Sequence, residues 1–359
     1  MRSARQGIPL RAPSRDAQSS LTASEPGGRV SPPKTAHTGV PHERRRTYVM
    51  VRLVIRRSTL ILPVNVPRFV EKAHLRGADA VMLDLEDAVP APEKASARRL
   101  VREATPRVAR GGAEVFVRVN HDPAHLRDDL EAAVWPALDG ICLPKTESAG
   151  EVERVEAQVA DHERRRGIAP GRIELTVIIE TPRGVLNAEA IAGASRRIRS
   201  MSLGPEDYCL ALGVEPSADG AELQYALARL VAVCKAAGVA PMGLLGSIAG
   251  FRDLCAFERA AARARDLGCV GASCIHPDQV AVLNRVFSPP PEKVARARKT
   301  AEAFEAGLRN GTASVSVDGA MVDTPVYRRA RHILEQAAGV AEVEHRKATA
   351  LARLTGKEK

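Results

Sequence analysis

The sequence predicts a closed (β/α)8 barrel of the TIM type with a small C-terminal helical extension, or lid. Eight short apolar runs follow one another from residue 58 within about 230 residues, separated by longer stretches with helical spacing. The runs are continuously apolar instead of alternating, the pattern of parallel strands covered on both faces. Polar residues gather where the runs end, and that is the end at which such a barrel keeps its chemistry.

In order, the runs are STLILPV, AVMLDLED, EVFVRVN, GICLPK, ELTVIIET, IRSMSLGPED, APMGLLGS and VGASCIHP. Helical spacing is clearest over 67–76, 92–108, 149–166 and 223–237. After Phe287 the pattern changes. SPPPEK breaks the chain, a helix is predicted over 292–308, and NGTASVSVDGAMVDTP reads as a turn, a short strand and a loop. A last helix starts at Pro325 and runs towards a basic, frayed tail. The expected organisation is a basic leader over 1–49, a catalytic barrel over 50–288, an extension over 289–345 and a tail over 346–359. The extension is too small for a core of its own, so it is expected to pack on a barrel, its own or a neighbouring subunit's.

Composition narrows the class. Hydrophobic residues make up 45% of the 359 and aromatics only 3%, so the core must be aliphatic. Of the formal net charge of +10, +6 lies in residues 1–49, which hold nine Lys/Arg and three Asp/Glu. The remainder is mildly basic and lacks the interleaved aromatics that stack bases, which argues against nucleic acid. The leader has no hydrophobic period, as in a disordered extension or a reading frame whose natural start is Met50. No apolar stretch reaches the ~18 residues that a membrane span needs. Six cysteines (Cys142, Cys209, Cys234, Cys255, Cys269 and Cys274) form no CxxC pair and no zinc spacing. Most lie in apolar runs, so they read as packing in a reducing, cytoplasmic compartment.

Three carboxylates in four positions close the second run: Asp84, Glu86 and Asp87. Acids so close repel one another, and burying an unpaired one is costly. Other run ends supply Arg118, Asn120, Lys145, Glu180, Glu206, Asp207 and His276. Carboxylates converging with cations on one rim suit a hard divalent metal and an anionic substrate. Oxygen ligands without paired His or Cys point to Mg2+ over zinc. Most of these residues also have a structural explanation. Asp87 can cap the next helix, Lys145 can pair with Glu147 or another rim acid, and His276 can be a satisfied core histidine. Asp323, two residues before Pro325, has the spacing of an N-cap. Arg118 interrupts a buried strand, so its guanidinium needs an anionic partner.

Taken together, RRSTLILPVNVPRFVEKA, GADAVMLDLEDAVPAPEKASAR, VFVRVN, GICLPKTES, IIETPRGVLNAEAIA, LGPEDY, GCVGASCIHPDQVAVLNRVFSPP and DGAMVDTPVYRRA follow in an order that resembles one branch of a known family. It is the citrate lyase β-subunit-like branch of the HpcH/HpaI aldolase/citrate lyase family, and the resemblance spans roughly residues 56–337. The branch includes malyl-CoA, methylmalyl-CoA and citramalyl-CoA lyases and related thioesterases. The resemblance implies a barrel assembling as a homotrimer or homohexamer, with Mg2+, or Mn2+ in its place, held by Glu180 and Asp207. It implies substrate contacts from Arg57, Lys72, Arg118 and Glu180. Asp84, Glu86 and Asp87 would stand behind these, holding metal-bound waters and orienting Arg118. Asp323 matches an acid that reaches a neighbouring subunit's site. Two positions depart from the family pattern: PVNVP carries Val64 where the first loop usually has Gly, and GASCIHP lacks a Lys that some citrate lyase β subunits place before IHP.

The implied activity is Mg2+-dependent cleavage or formation of a 3-hydroxyacyl-CoA. Its products are acetyl-CoA or propionyl-CoA and a 2-oxo acid, glyoxylate or pyruvate, with Arg118 and Asp323 as catalytic residues. A thioesterase acting on malyl- or citramalyl-CoA would use the same metal site. A non-catalytic or acyl-carrier-dependent subunit of a larger lyase complex is the reading from a different class.

Overall fold

The computed structural model describes residues 53–356, so the leader expected over 1–49 lies outside the described residues. Strands and helices alternate: β1 (Ser58–Pro63), α1 (Pro67–Ala73), β2 (Ala80–Asp84), α2 (Lys94–Ala109), β3 (Glu114–Arg118) and α3 (Pro123–Ala133). They continue with β4 (Gly140–Leu143), α4 (Ala149–Arg165), β5 (Glu174–Ile179), α5 (Pro182–Leu186), α6 (Ala188–Gly193) and β6 (Ile198–Leu203). The circuit ends with α7 (Pro205–Leu212), α8 (Ala221–Ala237), β7 (Ala240–Met242), α9 (Leu254–Leu267), β8 (Ala272–Cys274) and α10 (Pro277–Val286).

The eight strands form one parallel sheet in the order β7-β6-β5-β4-β3-β2-β1-β8. Two backbone bonds join its ends: Val270 N–H donates to Pro241 O at 2.9 Å, and Gly243 N–H to Gly271 O at 3.0 Å. The barrel is thereby closed. Helix starts use the expected chemistry. Asp122 caps α3, Ser148 and Glu151 form a reciprocal box on α4, and proline opens α1, α3, α5, α7 and α10. Most of the core lies between strands and helices, with Leu83, Val117, Ile141 and Leu175 fully buried. A second cluster of Ala80, Met82, Phe116, Cys142 and Ile178 fills the lumen. Among the described residues, no helix is long and apolar enough to cross a membrane.

Beyond the barrel stand α11 (Pro291–Arg309), a hairpin of β9 (Val315–Val317) and β10 (Ala320–Val322), and the long α12 (Thr324–Leu354). Contrary to expectation, the extension owns a small core: Phe304, Val317 and Val322 are buried together, and Tyr327 stacks on Phe304 with centroids 4.8 Å apart. The expected frayed tail over 346–359 is also corrected. It is helical as far as Leu354, because the later part of α12 lies on the end of the barrel where strands begin. There Arg346 Nε donates to Gly112 O at 2.9 Å, and Lys347 is buried with its ammonium on Asp79.

Candidate active site

At the opposite end, where strands finish, Asp84 and Arg118 are cross-strand partners on β2 and β3. Asp84 is fully buried and does two things at once. Its oxygens accept from the backbone of Glu86 and Ala88, both at 3.0 Å, which closes the turn after β2. They also accept from Arg118 Nε at 2.7 Å and Nη2 at 2.6 Å, a bidentate pair. Arg118 Nη1 meets Glu86 Oε2 at 2.9 Å, and Asp87 stands 4.0 Å away. Burial works against the charge of Arg118, but Asp84 and then Glu86 hold its pKa above the ordinary value. This guanidinium is permanently charged, and three of its nitrogens are fixed by carboxylates.

Lys145 ties this group to the next strand ends. Its ammonium donates to Glu86 Oε1 at 2.7 Å and to both oxygens of Asp87 at 3.1 Å. Its backbone has φ of +49°, the left-handed region that a residue with a Cβ seldom adopts. In that conformation its N–H points at Glu180 Oε2, 3.1 Å away. Asp87 is therefore no helix cap: α2 begins after Glu93, and Asp87 is spent on Lys145.

Glu180 follows β5 directly and is only 3% exposed. Burial, and then the negative charges of Glu86 and Asp207, push its carboxyl up to about 8. Gly204 follows β6 and lies against it: a Cβ there would sit 2.6 Å from Glu180 Cγ and 2.7 Å from Oε1. Only glycine leaves the carboxylate its place. The carboxylate of Asp207, in the first turn of α7, accepts no hydrogen bond among the described residues. Among them, no three His, Cys, Asp or Glu side chains gather as a metal cage. A pair of carboxylates is nevertheless what Mg2+ commonly takes from protein, the rest of its shell being water and substrate. The residues fit the ion: an oxygen-only pair, one member raised in pKa by burial and then by crowded negative charge, with glycine keeping space beside it.

The remaining expected residues are dispersed. Arg57 is a correction. It precedes β1, so it lies where strands begin, bonded to Asp79 at 2.8 Å and to Glu344, and it cannot contact a substrate at the other end. Lys72 is exposed in the last turn of α1. Asn120 is buried and pins Asp129 and Leu85 O at 2.7 and 2.8 Å. His276 caps α10 and stacks on Phe251, with centroids 5.1 Å apart. Within this chain, Asp323 caps α12 through Val326 N–H at 3.2 Å. Sequence reasoning missed the backbone role of Lys145 and the packing role of Gly204. Glycine in LGPED directly ahead of a proline-opened helix was the one available signal.

Residues 57–277 match the HpcH/HpaI aldolase/citrate lyase family. The citrate lyase β subunit of Leuconostoc mesenteroides subsp. cremoris is 35% identical, over 79% of this chain and 93% of that protein. The L-malyl-CoA/β-methylmalyl-CoA lyase of Cereibacter sphaeroides is 34% identical, over 78% and 94%. Among solved structures, the Mycobacterium tuberculosis protein CitE in complex with magnesium, acetoacetate and coenzyme A is similar with a TM-score of 0.61. It is 29% identical, with 78% of this chain and 97% of that one covered. Eight parallel strands in a closed barrel, acids and one arginine at their ends, and this agreement along most of the chain make it a member of the HpcH/HpaI aldolase/citrate lyase family.

Proposed function

We propose that the chain is a Mg2+-dependent lyase that cleaves or forms a 3-hydroxyacyl thioester of CoA, such as malyl-, methylmalyl- or citramalyl-CoA. The observation that carries this reading is the buried Glu180, within reach of the negative charge of Asp207, with a fixed guanidinium at the same strand ends. Relatives whose names specify malyl-CoA cleavage, and one solved with magnesium and coenzyme A, support it. Glu180 and Asp207 would hold the ion, which when bound acts as a Lewis acid on the 2-oxo acid half.

In cleavage a general base takes the proton of the 3-hydroxyl as its C–O bond becomes a carbonyl. The bond to the thioester's α-carbon breaks, and its electron pair passes into that thioester as an enolate. Arg118, with N–H groups left over from Asp84 and Glu86, stabilises the enolate oxygen by fixed charge. A proton then returns to the α-carbon, and Asp323 of a second copy is our candidate for supplying it. Lys145 shares Glu86 with Arg118, holds Asp87, and donates its backbone N–H to one oxygen of Glu180. Lys72, exposed on α1, is a candidate contact for the CoA portion.

The test is a screen of malyl-, methylmalyl- and citramalyl-CoA with and without EDTA, reading 2-oxo acid and free thiol together. A lyase releases 2-oxo acid with no free thiol, and EDTA stops it. Free CoA with the intact dicarboxylic acid identifies a thioesterase. Neither product, on any ester, leaves a carrier-dependent subunit, a reading that the similarity to citrate lyase β subunits favours.

A further inference from the structure

The strand-start end of the barrel holds a second charge cluster that the chemistry above does not use. Asp79 is fully buried, and Arg57 and Lys347 are nearly so. Asp79 accepts from Arg57 Nε and Nη2, each at 2.8 Å, and from Lys347 Nζ at 2.9 Å. Glu344 bonds Arg57 as well and lies 3.0 Å from Lys347, and Lys347 also donates to Gly77 O at 2.9 Å. Two glycines let the helix come this close. A Cβ on Gly339 would lie 2.7 Å from Ile55 Cγ1, and one on Gly112 would lie 3.1 Å from Arg346 O. Gly112 also has φ of +80°, so a side chain there is excluded twice.

These contacts fix α12 from about residue 336 onward. Its first half belongs to a different neighbourhood, packed along α11 and carrying the hairpin with Phe304, Val317, Val322 and Tyr327. Asp323 stands at the head of the helix, roughly 36 Å from Lys347 at ~1.5 Å per residue. A rigid rod clamped at one end sets the direction of whatever rides on the other.

We propose that Arg57, Asp79, Glu344 and Lys347, with the close seats at Gly112 and Gly339, are positioning residues that aim the α11–hairpin unit and its Asp323 at the active site of a second copy of this chain. The inference rests on the lyase reading and on Asp323 acting across subunits. A buried ion cluster suits the task better than an apolar seat, because its bonds fix rotation and register of the helix as well as its contact.

The test uses the full chain and three variants: Lys347→Met, Asp323→Asn and the two combined, with Gly339→Leu as an uncharged way to lift the helix should Lys347→Met fail to fold. Turnover of the thioester found active in the screen is measured beside Mn2+ affinity, which reads the rim. Lys347→Met should lose at least tenfold in kcat, keep wild-type Mn2+ affinity, and cost nothing further in the Asp323→Asn background. Wild-type kcat in Lys347→Met and Gly339→Leu, while Asp323→Asn is impaired, overturns the anchor and leaves the lyase reading standing. Losses that multiply in the double variant, or a drop in Mn2+ affinity, also overturn it, since the cluster then acts through the barrel. A fully active Asp323→Asn sinks the cross-subunit reading and the anchor with it.

Discussion

The two ends of this barrel are built from the same side chains to opposite effect. Where strands begin, Arg56 meets Glu114 and Glu174, and Arg57 and Lys347 meet Asp79 and Glu344. Cation and anion are nearly matched, and the bonds cross from one element to another. Where strands end, Asp84, Glu86, Asp87, Glu180 and Asp207 gather around two cations whose charge reaches them, Arg118 and Lys145. Lys94 is instead bonded to the carbonyls of Leu85 and Glu86. That end is left short of positive charge, and Lys145 adopts a backbone conformation that costs energy. The matched cluster holds elements together; the surplus of acid at the other end is what supports the proposed metal site.

The sharpest way to break the comparison is to remove one acid from the rim. Glu180→Ala or Asp207→Ala should abolish Mg2+ binding by calorimetry and lower turnover at least a thousandfold, the scale of a lost Lewis acid. The fold should survive, and full activity in excess chelator would refute the metal assignment. At the base the same operation should act on stability. Asp79→Asn strands two buried cations and should cost about 3–5 kcal/mol in denaturant melts, with Mg2+ affinity in the folded fraction unchanged. Between these lies Arg118→Lys, which keeps the charge and loses the planar fork. Turnover should fall on the order of a hundredfold with little change in melting temperature. Unfolding with activity retained in what remains folded would move Arg118 to the structural side.

The smallest effect separates the ends by pH. Glu180 in the folded, metal-free protein titrates near 8 against an ordinary 4.5, so the fold binds its proton more tightly than the unfolded chain does. Stability at this group is greatest below 4.5 and declines as pH rises through 8. Asp79 runs the other way. Burial raises its pKa, Arg57 and Lys347 more than reverse that, and the stability it gives holds above 3.8 and is lost as pH falls further. Glu180→Gln should therefore flatten the decline between pH 4.5 and 8 and raise the metal-free melting temperature there by roughly 2–4 °C. Saturating Mg2+ on the wild type should do the same.

Much of the fold was legible because parallel strands buried on both faces leave long apolar runs, and all eight are present. The rim acids were legible for a related reason: in a parallel barrel, a residue after a run must lie at one end and a residue before it at the other. By that rule Arg57, ahead of β1, belongs to the base, and family likeness drew it wrongly to the substrate. Lys347 was hidden in a basic stretch because its partner Asp79 is 268 residues away, and no local pattern reports such a pair. The double duty of Lys145 was hidden too, since composition says nothing of which way a peptide N–H points.

The closure of the barrel has a consequence for its motion. β7 and β8 are each three residues long, and the two backbone bonds at Val270 and Gly243 are what join them. Every other neighbouring pair of strands is held by a register of three residues or more. This seam is the weakest line in the cylinder, and native-state breathing should start along it. In deuterated solvent, the amides of Gly243 and Val270 should exchange ahead of those in β2 and β3. The loop after β7, whose Ser247 hydroxyl donates to Glu206 at the rim, would swing with each opening. Slower exchange in β2 and β3 would mean that the strands carrying Asp84 and Arg118 hold still while the seam opens.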